Sequence, residues 1–350
     1  MKGIHQVLAG AAPFDAITNH VLAAREVIRD MGIHSEIFVE ARHRDPSLVE
    51  ICHPIDDWAR RTSPGDAAIA HYSIDSPAFS YVADRASLLA IHYHNITPPE
   101  LLWRYAPRLA RQCAEGRTQL GALVKQAATF AADSEFNAGE LRAEGAGQVA
   151  VVGILRQAAL ATALRSGARI DETRMLFVGR GVPNKAQDEL ILSAASLRQI
   201  GCPVRLRLVG AWGAAPAFAR HCLNLIERLG AEPYVDLLGP VDDAALAREY
   251  ASADVFACLS RHEGYCVPLI EAMEANLPVV ARAAGAVPET LGRGGLVLDD
   301  PRPSEMAEAI LLELDTANDP PRITGRATQL SPHSPDATAT RLRAFISEIA

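Results

Sequence analysis

Residues 260–273 read SRHEGYCVPLIEAM and follow directly on the apolar run DVFACLS, residues 254–260. A run this short and this apolar fits a strand covered on both faces of a sheet. Pro268 suits the first turn of a helix, where its missing N–H is not needed. The stretch therefore predicts strand, loop and helix, with Glu263 at the carboxyl end of the strand and Glu271 on the helix. Carboxylates only accept hydrogen bonds, and the hydroxyls of sugars and ribose donate to them. A helix start adds unpaired N–H groups that favour a diphosphate. Two solvated surface glutamates would give the same pair of letters.

The same alternation runs through the rest of the second half. RMLFVG, PVRLRLVG, YVDLLG, PVVAR and GLVLD read as strands, and DELILSAASLRQIG, FARHCLNLIERLG, DDAALAREYASA and SEMAEAILLELDT as helices. In the first half, strands are predicted at His5–Ala9, Ser35–Val39, Ala67–His71, Leu88–Tyr93, Ala128–Ala132 and Gln148–Val152. Helical patterns such as AITNHVLAAREVIRDMG lie between them. The expectation is an α/β protein of two facing Rossmann-like domains with parallel sheets. Ligands bind beyond the carboxyl ends of such strands, so two facing sheets would share one cleft. The domains are placed at 1–160 and 161–332, joined through ALATALRSGARIDETR. A last helix over 333–350 is free to pack back on the first domain.

The chain has 350 residues, more than one hydrophobic core usually organises. Its 34 basic and 42 acidic residues give a net charge of −8, which disfavours nucleic acid as a partner. The six cysteines form no C-x-x-C pair and no zinc spacing, so reduced thiols and no metal are expected. MKGIHQVLAGAAP lacks the apolar core of a signal peptide, and no stretch reaches the length of a spanning helix. A cytoplasmic location follows as the expectation.

Three further motifs sit at predicted strand ends. MLFVGRGVPNKAQDELI, residues 175–191, puts Arg180 and Lys185 after a strand. A planar guanidinium fork and a compact ammonium both suit phosphate oxygens, although basic loops after strands are common. LLAIHYHNITPPELLWRY, residues 88–105, carries His92 and His94, with Pro98 and Pro99 expected to start a long helix. His94 is the preferred ligand-contacting imidazole and His92 and His71 the weaker ones, against the commoner structural role. Asn95 and Thr97 would shape that loop. In the first turn, LAGAAPFDAITNH, Gly10 lets backbone approach a substrate, while Asp15 and Asn19 suit acceptor hydroxyls. Asp15 equally suits a helix cap, and the cap is preferred. Ser134 and Glu135, in ADSEFNAGEL, are open to the same two readings. The stretch from Glu100 to Lys125 holds five basic residues (Arg104, Arg108, Arg111, Arg117, Lys125) against Glu100 and Glu115, with Trp103 and Tyr105 near its start. That composition suits either a solvated face or peripheral contact with an anionic membrane.

HEGYCVPLIEAMEANLPVVARAAGAVPETLG resembles the family-4 glycosyltransferases of the GT-B fold, whose E-x7-E signature is met by Glu263 and Glu271. The Pro-Glu-containing stretch Gly285–Glu289 matches as well. The resemblance implies that Glu263 contacts the donor sugar, Glu271 the ribose, and Arg180 and Lys185 the diphosphate. It extends donor binding to Gly264, Tyr265, Cys266 and Val267, and gives His94 a donor-sugar contact. Cys266 replaces a small residue of many relatives, and the first turn is poorer in glycine than theirs. Retaining transfer of a hexose, mannose among the candidates, from a GDP- or UDP-linked donor is implied, without metal or other cofactor. The implied acceptor is a saccharide or polyprenyl-linked saccharide of surface-polysaccharide synthesis, at the inner face of the plasma membrane. The rivals are an epimerase or phosphorylase on the same fold, or a non-catalytic sugar-nucleotide-binding subunit.

Overall fold

Thirteen short strands among the described residues account for the apolar runs. A computed structural model describes residues 3–156 and 172–350. The expected boundary at 160/161 lies outside these residues, as does the expected connector up to residue 171, while its last residues Thr173 and Arg174 already belong to a strand. The chain divides into two compact units, residues 1–96, 111–157 and 333–350 in one, and 97–110 and 158–332 in the other.

The first unit holds β1 (Ile4–Leu8), β2 (Ile37–Val39), β3 (Cys52–Pro54), β4 (Ala67–Tyr72), β5 (Leu88–Tyr93), β6 (Thr129–Ala132) and β7 (Val149–Val151). They form one sheet in the order β3-β2-β1-β4-β5-β6-β7, every neighbouring pair parallel. β3 was not expected: its three residues, Cys-His-Pro, are too few for a pattern, and a proline fits only at an edge, where β3 lies. One face is covered by the helices Ala16–Asp30 and Pro335–Ile349. There Ile4, Ile28, Ile69 and Ala90 pack with Leu342, Phe345 and Ile346 in one buried cluster.

The second unit holds β8 (Thr173–Val178), β9 (Val204–Val209), β10 (Val235–Leu238), β11 (Val255–Cys258), β12 (Val279–Arg282) and β13 (Leu296–Leu298). Their order is β10-β9-β8-β11-β12-β13, again all parallel. Both orders reverse direction once, between β1 and β4 and between β8 and β11. Strand ends at such a reversal diverge and leave a crevice where ligands bind.

The long helix expected from Pro98 begins instead at Pro107 and runs to Val124. Pro107 cannot donate to the preceding turn and its ring disfavours helical backbone before it. Trp103 and Tyr105 therefore lie in irregular chain ahead of the helix. Tyr105 packs edge-on to Phe218 at 5.5 Å between ring centroids, and Trp103 is half exposed. Arg111 pairs with Glu115, and Arg117 bonds Glu140 and the Ile96 carbonyl. No described helix is long and apolar enough to cross a membrane. All six cysteines are free thiols.

Candidate active site

The reversal between β8 and β11 brings two sequence motifs together. Beyond β8 the chain passes Gly179, Arg180 and Gly181 and enters the helix Gln187–Gln199. Beyond β11 it passes Ser260 and Glu263 and enters the helix Val267–Glu274. Lys185 Nζ donates to Glu263 Oε1 at 2.6 Å, although 78 residues separate them. The Glu263 side chain is 7% exposed and that of Lys185 21%. Burial alone would lower the Lys185 pKa, but the Glu263 carboxylate outweighs it and holds the ammonium above its ordinary value. An ammonium has three donors, so a bond to Glu263 leaves others for phosphate oxygens.

Each helix begins on a non-glycine residue in the left-handed region, Ala186 at φ 51° and Cys266 at φ 64°. Such backbone is held only by its surroundings and concentrates at ligand sites. The surroundings here are explicit. Gly285, at φ 58°, brings its backbone so close to the Glu263 loop that a Cβ would lie 2.2 Å from the Glu263 carbonyl oxygen. Ala286 N–H donates to that carbonyl at 2.9 Å, and Thr290 Oγ1 donates to the Tyr265 carbonyl at 2.7 Å. The Gly285–Glu289 stretch thus fixes the loop from beneath. On the other side, Gly181 lies against the Trp212 ring, which a Cβ would meet at 2.2 Å.

Glu271 stands on the helix as expected, and fully buried Tyr250 donates to its Oε2 at 2.7 Å. Cys266, Cys258 and Glu263 place their sulfur and oxygen atoms within 4.8 Å of one another. The neighbouring Cys258 and burial raise the Cys266 pKa, so it faces this site as a neutral thiol. Arg180 is exposed, and its carbonyl accepts from Gln187 Nε2 at 2.7 Å. The structure brings Lys185, Glu263, Gly264, Tyr265, Cys266 and Val267 to one strand-end crevice, with Glu271 one helical turn on.

The first unit has its own cluster at the reversal between β1 and β4. His71 is register partner to Leu8 of β1 and to His92 of β5, so these side chains share a face. His94 and Asp133 each fall two residues beyond a partnered pair, His92 with Ala131, and so continue that face. His94 Nδ1 lies 2.9 Å from Asp133 Oδ1, and His94 Nε2 lies 2.9 Å from His71 Nδ1. Its side chain is fully buried, and both ring nitrogens have partners within this unit. Burial raises the Asp133 pKa, but His94 and His92 outweigh it and hold it well below the carboxylate range. Burial pushes His20 and His71 well below the ordinary imidazole value and His92 to about 4.

Among the acceptor-side candidates, Asp15 caps its helix, accepting from Thr18 N–H at 2.9 Å, and Ser134 accepts from Asn137 N–H at 3.1 Å. Asn19 is exposed, and Gly10 lies against the backbone of His43. Tyr250, Asp133, His20 and Gln6 were not singled out from the sequence. A buried tyrosine on a helix reads as core, and an aspartate after a strand reads as a turn. Only the period of two through Ala131 and Asp133 pointed inward.

Comparison with known proteins adds the chemistry. Residues 172–315 match the family described as glycosyl transferases group 1. The chain resembles bacterial glycosyltransferases of that group. A D-inositol 3-phosphate glycosyltransferase of Kineococcus radiotolerans is 35% identical over 179 residues, 47% of this chain and 40% of that one. The enzyme of the same name from Actinosynnema mirum is 32% identical over 151 residues, 41% and 36% of the two chains. The chain thus spans well under half the length of these relatives. Over the whole chain, sucrose-phosphate synthase of Thermosynechococcus elongatus superposes with a TM-score of 0.78 at 17% identity, covering 99% of each. Anabaena HepE in complex with UDP-glucose gives 0.72 at 19% identity, also covering 99% of each. These likenesses show the fold, two parallel-sheet Rossmann-like domains of the GT-B class.

Proposed function

We propose that the protein is a glycosyltransferase that moves a hexose from a nucleoside diphosphate sugar to an acceptor hydroxyl. The observation that carries this reading is the Lys185–Glu263 contact at 2.6 Å, which joins the two motif loops at one strand-end reversal. In it Glu263 accepts from the donor sugar and Glu271, oriented by Tyr250, from the ribose hydroxyls. Lys185 and Arg180 balance the diphosphate as the leaving group gains charge. Each such contact could contribute about 3 kcal/mol to the transition state. Gly264, Tyr265, Cys266 and Val267 line the path between sugar and phosphates. His94 is not required by this reading, because its ring is already held within the first unit.

Several finer assignments belong to the same proposal. Family 4 and retention of configuration rest on the E-x7-E spacing. UDP is favoured over GDP as the donor base by the Anabaena HepE complexes with UDP and UDP-glucose. Two acceptor classes have support: a phosphorylated polyol, from the names of the relatives, and a saccharide, lipid-linked or free, from the lipopolysaccharide transferase among the solved structures. The latter would place the protein in the cytoplasm against the inner membrane face.

Donor profiling tests the reading. UDP- and GDP-sugars are screened for binding, then for hydrolysis and transfer, with Glu263→Ala and Lys185→Ala alongside. Each substitution should lower turnover at least tenfold, about 1.4 kcal/mol in barrier. Wild-type rates in both variants would defeat the site assignment. Donor binding without any turnover would favour the non-catalytic subunit, and interconversion of donor without acceptor an epimerase.

A further inference from the structure

The histidine cluster of the first unit poses a separate problem of chemistry, independent of the transferase reading. His20, His71, His92 and His94 are all buried, and one ring nitrogen of each lies within 4.8 Å of one from each of the others. Their outer contacts fix where the ring protons sit. Asp133 accepts only, so His94 Nδ1, at 2.9 Å from it, carries a proton. Gln6 Nε2 donates to the Val21 carbonyl at 3.0 Å, which turns Gln6 Oε1 towards His71 Nε2, also at 3.0 Å. That oxygen accepts, so His71 carries its proton on Nε2.

The two remaining nitrogens, His71 Nδ1 and His94 Nε2, then face each other with lone pairs at 2.9 Å. Two lone pairs at that distance need a cation between them. A proton would supply it by making one of the pair an imidazolium. That leaves the rest of the cluster unexplained. Neither ring nitrogen of His92 makes a hydrogen bond among the described residues, although Asp133 Oδ1 lies 3.0 Å from its Nε2. His20 accepts the Leu155 N–H on Nδ1 at 2.8 Å, so its proton sits on Nε2, which has no partner among the described residues.

We propose that His71, His92 and His94 bind one divalent transition-metal ion of the zinc class, with His20 facing its fourth position. Three imidazoles suit zinc, and the fourth place in such a site is taken by an oxygen ligand, to which the His20 N–H would donate. Ligating imidazoles hand their second N–H to a carboxylate or carbonyl. Here Asp133 and Gln6 already hold that place for His94 and His71. Zinc–nitrogen bonds of about 2.0–2.1 Å in a tetrahedron require nitrogens roughly 3.3 Å apart. The His71–His94 pair at 2.9 Å would need to open by only a few tenths of an ångström. The ion would tie β4, β5 and the helix Ala16–Asp30 together at one point. His92 and His94 form a His-x-His pair at the end of β5, but that pair alone announces no site, because His71 and His20 join it from β4 and the helix Ala16–Asp30.

The test uses the full chain, purified without a histidine tag and without chelator. Elemental analysis should find roughly one equivalent of zinc per chain. After stripping with a chelator, cobalt(II) titration should saturate at the same stoichiometry, with the visible absorption of a four-coordinate site. His71→Gln and His94→Gln should lose the bound ion, while His333→Gln, outside the cluster, should keep it. If the cluster variants fail to fold, the cobalt titration of the wild-type chain decides by itself. Folded wild-type protein that holds neither zinc nor cobalt would overturn the proposal, and a nitrogen-15 spectrum showing His94 protonated on both nitrogens would then assign the gap to a buried proton.

Discussion

Replacing Lys185 by methionine keeps most of the apolar stem and removes the charge that faces Glu263 at 2.6 Å. The Glu263 carboxylate, 7% exposed, is then left without its cation. Stranding one member of a buried pair costs about 3–5 kcal/mol, and the partial exposure of Lys185 puts this case at the low end, about 3. Glu263→Gln in the same chain removes the need for a counter-charge, so the double variant should regain at least half of the lost stability. Turnover should not return, since both the phosphate cation and the sugar-binding carboxylate are gone. Urea unfolding of the four proteins gives the coupling energy, and donor turnover of the same samples gives the second readout. A loss under about 1 kcal/mol for Lys185→Met, or strict additivity of the two changes, would refute the buried-pair reasoning.

Gly285→Ala forces a Cβ to within 2.2 Å of the Glu263 carbonyl at a φ of 58°, so the loop must shift. A stability loss of about 2 kcal/mol or more and a fall in turnover are expected. Gly213→Ala, which meets nothing within 4 Å, should stay within about 0.5 kcal/mol of wild type in the same urea assay. Burial, with Arg341 and Arg156 nearby, lowers the His333 pKa to about 4. The unfolded chain takes that proton near the ordinary imidazole value and the folded chain resists it. The stability this group contributes is therefore complete above that value and is lost as pH falls towards 4. Urea midpoints measured across this range should fall less steeply in His333→Gln than in wild type.

Much of the architecture was legible because parallel strands covered on both faces are nearly continuous apolar runs. Leu88–Tyr93 and the run ahead of Ser260 needed no tertiary information to be seen. The placing of Glu263 and Glu271 on loop and helix followed from Pro268 in the same local way. What could not be read depends on contacts between distant segments. Cys52–Pro54 becomes a strand only because β2 offers it an edge. Pro107, not Pro98, starts the long helix, since a prolyl ring acts on the turn before it, and the sequence offered several prolines to choose from. His94 reads as an imidazole open to a ligand at a strand end, whereas His20, His71 and Asp133 close on it from three other places in the chain and Gln6 stands behind His71. Tyr250 reads as core until Glu271 is found beside its hydroxyl.

The helix Pro335–Ile349 has a consequence for biosynthesis. Phe345 and Ile346 complete the core formed by Ile4, Ile28 and Ile69, yet they leave the ribosome after every residue of the second unit. The part of the molecule translated first must therefore wait, with the stretch of apolar sheet face beside the helix Ala16–Asp30 uncovered, until this helix arrives. A nascent chain stalled before Leu342 would present that face to chaperones, while its later-made half already has all its strands.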